Sequence, residues 1–291
     1  MFRLLRLTRR RFLFFRKVRI GLRLIRASLR AVVFDHRRYA LFCFLIAFTQ
    51  LIRFKLSASI APRLPLATII TEYLIGQNFF EILADYFTGP LTTAVALNII
   101  FKSILFLFEI FVLSFITLTL VYYISAHLTH KPTLLRLAFR KSLAKQALLL
   151  QWSVLELFVA LVPALIPFVG DILILAWQLA TTLAFQIMAY EHVSIQAVLK
   201  RSFTVFKERV STVVSIDVFL EILFIAVSAL FYFLYRTQAY STLSFIARVS
   251  SMHIVTLMSI LYILAVVMVA ETVALTLLYD VIQRDKKNTY F

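Results

Sequence analysis

A single cysteine, Cys43, stands among 291 residues, so no disulfide can close within this chain. Glycine and proline are scarce, at 4 and 6 residues, which argues against turn-rich sheet architectures and favours long uninterrupted helices. A transmembrane β-barrel needs many short alternating segments parted by turn residues, and the chain has none of that pattern. Acidic residues are few, 14 against 31 Lys+Arg, and none precedes Asp35. There is no Gly-rich phosphate loop, no GxSxG, no HExxH and no paired-aspartate motif. The expectation is a non-enzymatic protein that needs no cofactor.

What fills the chain instead is apolar. Hydrophobic residues make up 62% and charged residues 15%, against roughly 45–50% and about 25% in soluble domains. The mean hydropathy is +0.92. The fold class that follows is an all-α membrane protein. Six spans can be drawn, at about 39–56, 94–126, 147–169, 172–190, 212–235 and 254–282, each reaching or approaching the roughly 20 residues that cross a bilayer. They pair as three hairpins. Pro167-Phe168-Val169-Gly170-Asp171 reads as a tight turn between the third and the fourth. Residues 1–38 form a basic cytoplasmic or interfacial helix, 57–93 an outer-face loop with short helices, and 283–291 a cytoplasmic tail.

The distribution of basic residues orients these spans. The first 38 residues hold 13 of the 31, and 25 in all fall on one side of the drawn spans against 5 on the other, with Lys102 inside the second span. Basic flanks stay cytoplasmic, so both termini are expected inside a plasma (inner) membrane. The same reading covers the net charge of +17 without nucleic acid, because no nucleic-acid recognition motif accompanies it. Arg9, Arg10, Arg11, Arg16, Lys17, Lys200 and Arg201 are the candidate contacts to anionic phospholipid headgroups. Thr8-Arg9-Arg10-Arg11-Phe12-Leu13 looks like a twin-arginine export signal, but Arg16, Lys17, Arg19, Arg23 and Arg26 interrupt the apolar core such a signal needs.

A faint repeat runs through the basic stretches. Arg26-Ala27-Ser28-Leu29, Arg140-Lys141-Ser142-Leu143 and Lys200-Arg201-Ser202-Phe203 each precede an odd-numbered span. The repeated unit would be an interfacial helix followed by two spans. In the third copy Ile195, Val198, Leu199, Phe203 and Phe206 are expected on one helical face. Basic residues also precede inward-starting spans in unrelated proteins, so both readings stand.

Trp177 with Thr181 and Thr182, then Tyr190-Glu191, then Ala197-Val198-Leu199-Lys200-Arg201-Ser202 and Phe206-Lys207 form one further pattern, with Ser28-Leu29-Arg30, Asp35 and Tyr39 near the start. Over about 27–235 the chain resembles an uncharacterised family of prokaryotic six-helix integral membrane proteins. That family is similar to the membrane domain beside some glycerophosphodiester phosphodiesterases. Ser194-Ile195 stands where the family commonly has Gly-Pro, and no Pro precedes Glu191. The resemblance implies a fold and a membrane location; it carries no catalytic residue.

The candidate site is acidic. Glu156, Glu221 and Glu271 each lie nine or ten residues from the inner end of a span, roughly 15 Å deep at 1.5 Å per residue. Asp217 is one turn from Glu221 on the same face, and Glu109 is two turns from Lys102. Charges at that depth cost about 2.5–3.5 kcal/mol on insertion scales and normally face a bundle interior or a wet cavity. Two readings are open. The acids line an ion or proton path, or they bond to Lys102, Gln151, Gln178 or Gln186 and hold helices together. His127 and His130, at i and i+3 with no third ligand, make no metal site.

The function expected is an envelope-organising or transport-related membrane component, with a homo-oligomer or membrane partner proteins in view. The first rival is a small transporter or channel built on the acids. The second is a membrane-bound enzyme acting on lipid headgroups through Glu191, His192, His127 and His130.

Overall fold

A computed structural model describes the backbone of residues 2–60, 93–129, 134–165, 169–191, 193–236 and 254–289. Among the described residues there are helices and no strands. Their order is α1 (Phe2–Phe34), α2 (His36–Ile60), α3 (Thr93–Leu128), α4 (Leu135–Leu143), α5 (Gln146–Leu165), α6 (Val169–Thr181), α7 (Ala184–Tyr190), α8 (Ile195–Arg236) and α9 (Ile254–Thr289). Most of the outer segment 57–93 lies outside the described residues.

Four stretches are long and apolar enough to cross a membrane: Ile104–Leu128, Ile172–Tyr190, Ile195–Val227 and Met258–Asp285. A fifth follows if Leu135–Leu143 and Gln146–Ala160, bent by 68° at their junction, count as one. Large apolar side chains such as Phe108, Phe158, Ile172 and Ile222 point outward from the bundle, as they do when lipid rather than water is the neighbour.

The helix breaks fall where local chemistry favours them. Asp35 separates α1 from α2; its N–H still donates to Ala31 O at 2.9 Å, and its own carbonyl accepts from Arg38 N–H at 2.9 Å. Ala144 and Lys145 separate α4 from α5. Inside α8 the backbone leaves helical geometry at Arg209 (φ −124°, ψ 21°), dividing a first part from the long apolar part. Each break follows one copy of the repeated basic stretch.

Two local features differ from the sequence expectation. The stretch Ile172–Tyr190 keeps its expected bounds but is interrupted inside, where Thr181 Oγ1 donates to Trp177 O and Thr182 Oγ1 to Gln178 O, each at 2.7 Å. Hydroxyls bonding back to the preceding turn loosen a helix end, and α7 begins anew at Ala184. Val169, Gly170 and Asp171 are already in α6 rather than in a turn. Residues 166–168 lie outside the described residues.

The packing closes into a ring. α2 packs on α3, α3 on α5, α5 on α6, α6 on α8, α8 on α9, and α9 back on α2. Within it α3 also touches α7 and α9. Lipid offers no hydrophobic drive for association, so close approach and polar contacts must hold such helices together. Ala47, Ala184, Ala265, Ala270 and Ala274 are all buried at these contacts.

The three basic stretches occupy matching places. α4 packs on α3, the first part of α8 bonds to α6, and α1 packs on α8 and α9. Each therefore lies against the helix that ends the preceding unit, with the third unit preceding the first. The serine of each copy is buried: Ser28, Ser142 and Ser202. Ser142 Oγ is 3.0 Å from Thr119 Oγ1 of α3, Ser202 Oγ donates to Ala180 O of α6 at 2.7 Å, and Ser28 Oγ donates to Ile25 O at 2.8 Å. In the third copy the buried stripe is Val198, Ser202 and Val205, and Phe203 is 57% exposed. Ile195, Leu199 and Phe206 pack against the same core as Val198, so of the expected face only Phe203 turns outward, where a side chain that meets lipid can be as apolar as one that meets protein.

The N-terminal helix is more than a surface element. Gly21 sits so close to α8 that a Cβ there would collide with Ser215 Oγ and lie 3.2 Å from Thr212 O. Glycine at this position lets two backbones approach. Ile25 and Val32 are buried, while Arg19, Arg23, Arg26 and Arg30 are exposed.

Candidate functional site: an acidic cavity between α2, α8 and α9

Glu221 of α8 and Glu271 of α9 line one cavity of about 330 Å³. Its wall is otherwise formed by Ile46 and Gln50 of α2, Leu220 and Phe224 of α8, and Leu261, Leu264, Ala265, Val267 and Met268 of α9. No Lys, Arg or His is among these lining residues. Glu271 is half-buried and Glu221 exposed, so the cavity reaches the outside of the bundle along α8. Asp217 lies within electrostatic reach of both carboxylates. Two carboxyl groups from different helices thus share one apolar-walled hollow, with a third close by on α8.

The other acids go elsewhere. Glu156 of α5 accepts a hydrogen bond from Trp177 Nε1 at 3.1 Å, and Trp177 stacks on Trp152 with centroids 6.0 Å apart. Glu109 is buried in α3. The side chain of Lys102 lies outside the described residues. The layer drawn from depth alone therefore divides: Glu221, Glu271 and Asp217 come together, while Glu156 and Glu109 sit on other helices. Depth along a helix is legible in sequence, but the direction in which a residue faces its neighbours is not.

A second polar centre forms where α7 ends. Glu191 Oε1 accepts from Tyr279 Oη at 2.6 Å and from Gln283 Nε2 at 3.3 Å, and Arg201 Nε stands 3.6 Å away. Lys145 Nζ donates to the Glu191 carbonyl at 3.3 Å. One residue thereby ties α7 to α8, α9 and the α4–α5 junction. Tyr279 was not singled out by sequence; a Tyr-Asp pair near a span end carries no signal that it will reach Glu191. Nearby, Arg209 Nη2 meets Asp285 Oδ2 at 3.1 Å and Arg284 Nη2 meets Asp280 Oδ2 at 2.8 Å.

Of the residues considered for headgroup chemistry, Glu191 forms this centre. His127 Nε2 accepts from Arg38 Nη1 at 3.1 Å, and the side chains of His130 and His192 lie outside the described residues. Among the described residues no group of three or more His, Cys, Asp or Glu could hold a metal ion. Of the basic residues expected at headgroups, Lys200 is exposed, Arg201 is drawn to Glu191, and Lys17 is half-buried with its carbonyl 3.4 Å from Thr212 Oγ1. The side chains of Arg9, Arg10, Arg11 and Arg16 lie outside the described residues.

Comparison of the chain with protein-family models, with curated proteins and with solved structures yields no match. The functional reading rests on the geometry above.

Proposed function

We propose that this chain is a non-enzymatic, transport-related protein of the plasma (inner) membrane, whose working site is the cavity formed by Glu221, Glu271 and Gln50. It crosses the bilayer six times as three hairpins, with both termini in the cytoplasm. The one observation that carries the functional reading is the convergence of Glu221 and Glu271, from different helices, on a hollow with no basic residue among the described residues of its wall. Acids used only as helix glue have no need of shared empty space. Acids that exchange a proton or a cation do, because the positive charge must reach them.

The six-span count is supported by the closed ring of helix contacts, by the recurrence of a buried serine before each odd-numbered span, and by the resemblance to six-helix membrane proteins. The orientation is supported by the 25 to 5 distribution of basic residues. Exposed arginines on α1 are placed to bind anionic lipid.

The test is a cysteine-accessibility scan in a Cys43→Ser background, with single cysteines at positions 109, 156, 217, 221 and 271. Membrane-impermeant thiol reagents should modify positions 217, 221 and 271 and leave 109 protected. Protection of 221 and 271, with loop controls reacting, would sink the transport reading and leave a dry scaffold.

A further inference from the structure

We infer that the cavity between α2, α8 and α9 binds an amphiphilic organic cation, an ammonium or phosphonium head carrying apolar substituents. The inference rests on the transport reading above and names the class of ligand that the site accepts.

The composition of the wall carries the argument. A site for a small inorganic cation is built from several oxygens converging at about 2–2.6 Å from the ion and is lined by polar groups. Here two carboxylates and one amide, Glu221, Glu271 and Gln50, are the polar side chains, and eight lining residues are apolar. No carboxylate cluster of metal-binding form occurs among the described residues. The volume of about 330 Å³ is far more than the roughly 30 Å³ share of one water, and it falls at the lower end of the 300–1,000 Å³ range typical of organic ligands.

Charge sets the sign of the ligand. Glu221 and Glu271 face the hollow, Asp217 adds to their field, and among the described residues no Lys, Arg or His lines the wall to offset them. An anion would be repelled, and a neutral molecule would leave the carboxylates without a counter-charge. A cation with a diffuse, weakly hydrated charge satisfies both parts of the wall, since its desolvation costs less than that of a compact ion. Phe224 adds an aromatic ring on which such a charge can rest. Met268 supplies a thioether on an unbranched chain, and such side chains adapt to ligands of differing shape. Because Glu221 is exposed at the outside of the bundle, a ligand of this kind can enter sideways from the bilayer, where its apolar part already partitions.

The test uses the full chain in nanodiscs of zwitterionic lipid, so that bulk lipid charge does not bind the probe. Radiolabelled tetraphenylphosphonium is the probe, with Na⁺ and tetramethylammonium as competitors. Saturable binding above empty nanodiscs is expected, at least tenfold weaker in Glu271→Gln and in Glu221→Gln, unchanged in Glu156→Gln, and displaced poorly by both competitors. Leu264→Trp, which keeps both carboxylates and fills the hollow, should weaken binding by a similar factor. Size-exclusion profiles show which variants remain folded, and a folded Leu264→Trp decides the matter if a Glu→Gln variant aggregates. Absence of saturable binding, or binding indifferent to Glu221, Glu271 and Leu264, overturns the inference. If thiol reagents still reach positions 221 and 271 in that case, the transport reading survives with another ligand; if they do not, both fall. Displacement of the probe by Na⁺ at low concentration would assign the site to inorganic cations and overturn the organic class.

Discussion

Ser202 Oγ donates to the carbonyl oxygen of Ala180 at 2.7 Å, joining α8 to the last turn of α6. The last four carbonyls of any helix lack an intrahelical partner, and in α6 hydroxyls fill that role, from Ser202 and Thr182. Removing the Ser202 hydroxyl takes the donor from a part-buried acceptor. Ser202→Ala should therefore destabilise the folded protein by about 1–2 kcal/mol. Ser142→Ala should cost about 0.6 kcal/mol, the average interhelical polar contact, because Thr119 keeps its own bond to Phe115 O. Ser28→Ala, which loses only a local bond to Ile25 O, should cost least. Unfolding midpoints in detergent would rank the three, and an inverted order would show that the serines do not hold equivalent places.

Gly21 offers a prediction in which two effects compete. Alanine is the better helix former by about 1 kcal/mol, yet its Cβ would meet Ser215 Oγ, and overpacking costs about 1–3 kcal/mol. Gly21→Ala should be destabilising on balance by about 1 kcal/mol, the remainder when propensity offsets overpacking. Gly21→Ala combined with Ser215→Ala should recover most of that loss, since the obstructing oxygen is gone and the remaining neighbours, Thr212 O and the Cβ of residue 215, stand at 3.2 and 3.3 Å. A thermal-shift comparison of the four proteins measures the coupling; strict additivity would mean that α1 does not pack on α8 as described.

At Glu191 the direct donor matters most. Tyr279→Phe removes the 2.6 Å bond and leaves Gln283 and Arg201 on the carboxylate. The expected loss is about 1.5–3 kcal/mol, the range for hydrogen bonds to a charged group. Hydrogen exchange at the start of α8 should rise in the same variant, because Glu191 positions that helix through Arg201. A loss of stability without faster exchange there would confine the role of Glu191 to α7 and α9.

Glu156 and Trp177 form a pair apart from the cavity. Glu156→Gln and Trp177→Phe, singly and together, should show a coupling of about 1 kcal/mol in a double-mutant cycle. Neither change should alter labelling of cysteines at positions 221 and 271. Altered labelling would place Glu156 in the same polar path after all.

The helical class was legible from the near-absence of glycine and proline and from the length of the apolar runs, because such segments must satisfy their backbone groups within themselves. The three serines were legible as a motif, yet their burial was not. A small hydroxylated residue among arginines reads as surface until a partner helix comes to cover it. The outward turn of Phe203, alone among the five apolar residues of the third copy's face, escaped for a related reason: apolar periodicity marks the core only where the alternative neighbour is water.

By itself the sequence determined that the chain is helical and membrane-compatible, where basic breaks precede apolar stretches, and how far along its helix each acid lies. Those properties depend on residues close in the chain, on a rise of about 1.5 Å and a turn of about 100° per residue. Only the tertiary structure decided that Glu221 and Glu271 share a hollow while Glu156 turns to Trp177, and that Tyr279 reaches Glu191. The physical reason is that two acids at equal depth can face each other or face apart. That choice is made by which helices pack together, through small residues and a few hydrogen bonds between segments remote in the chain.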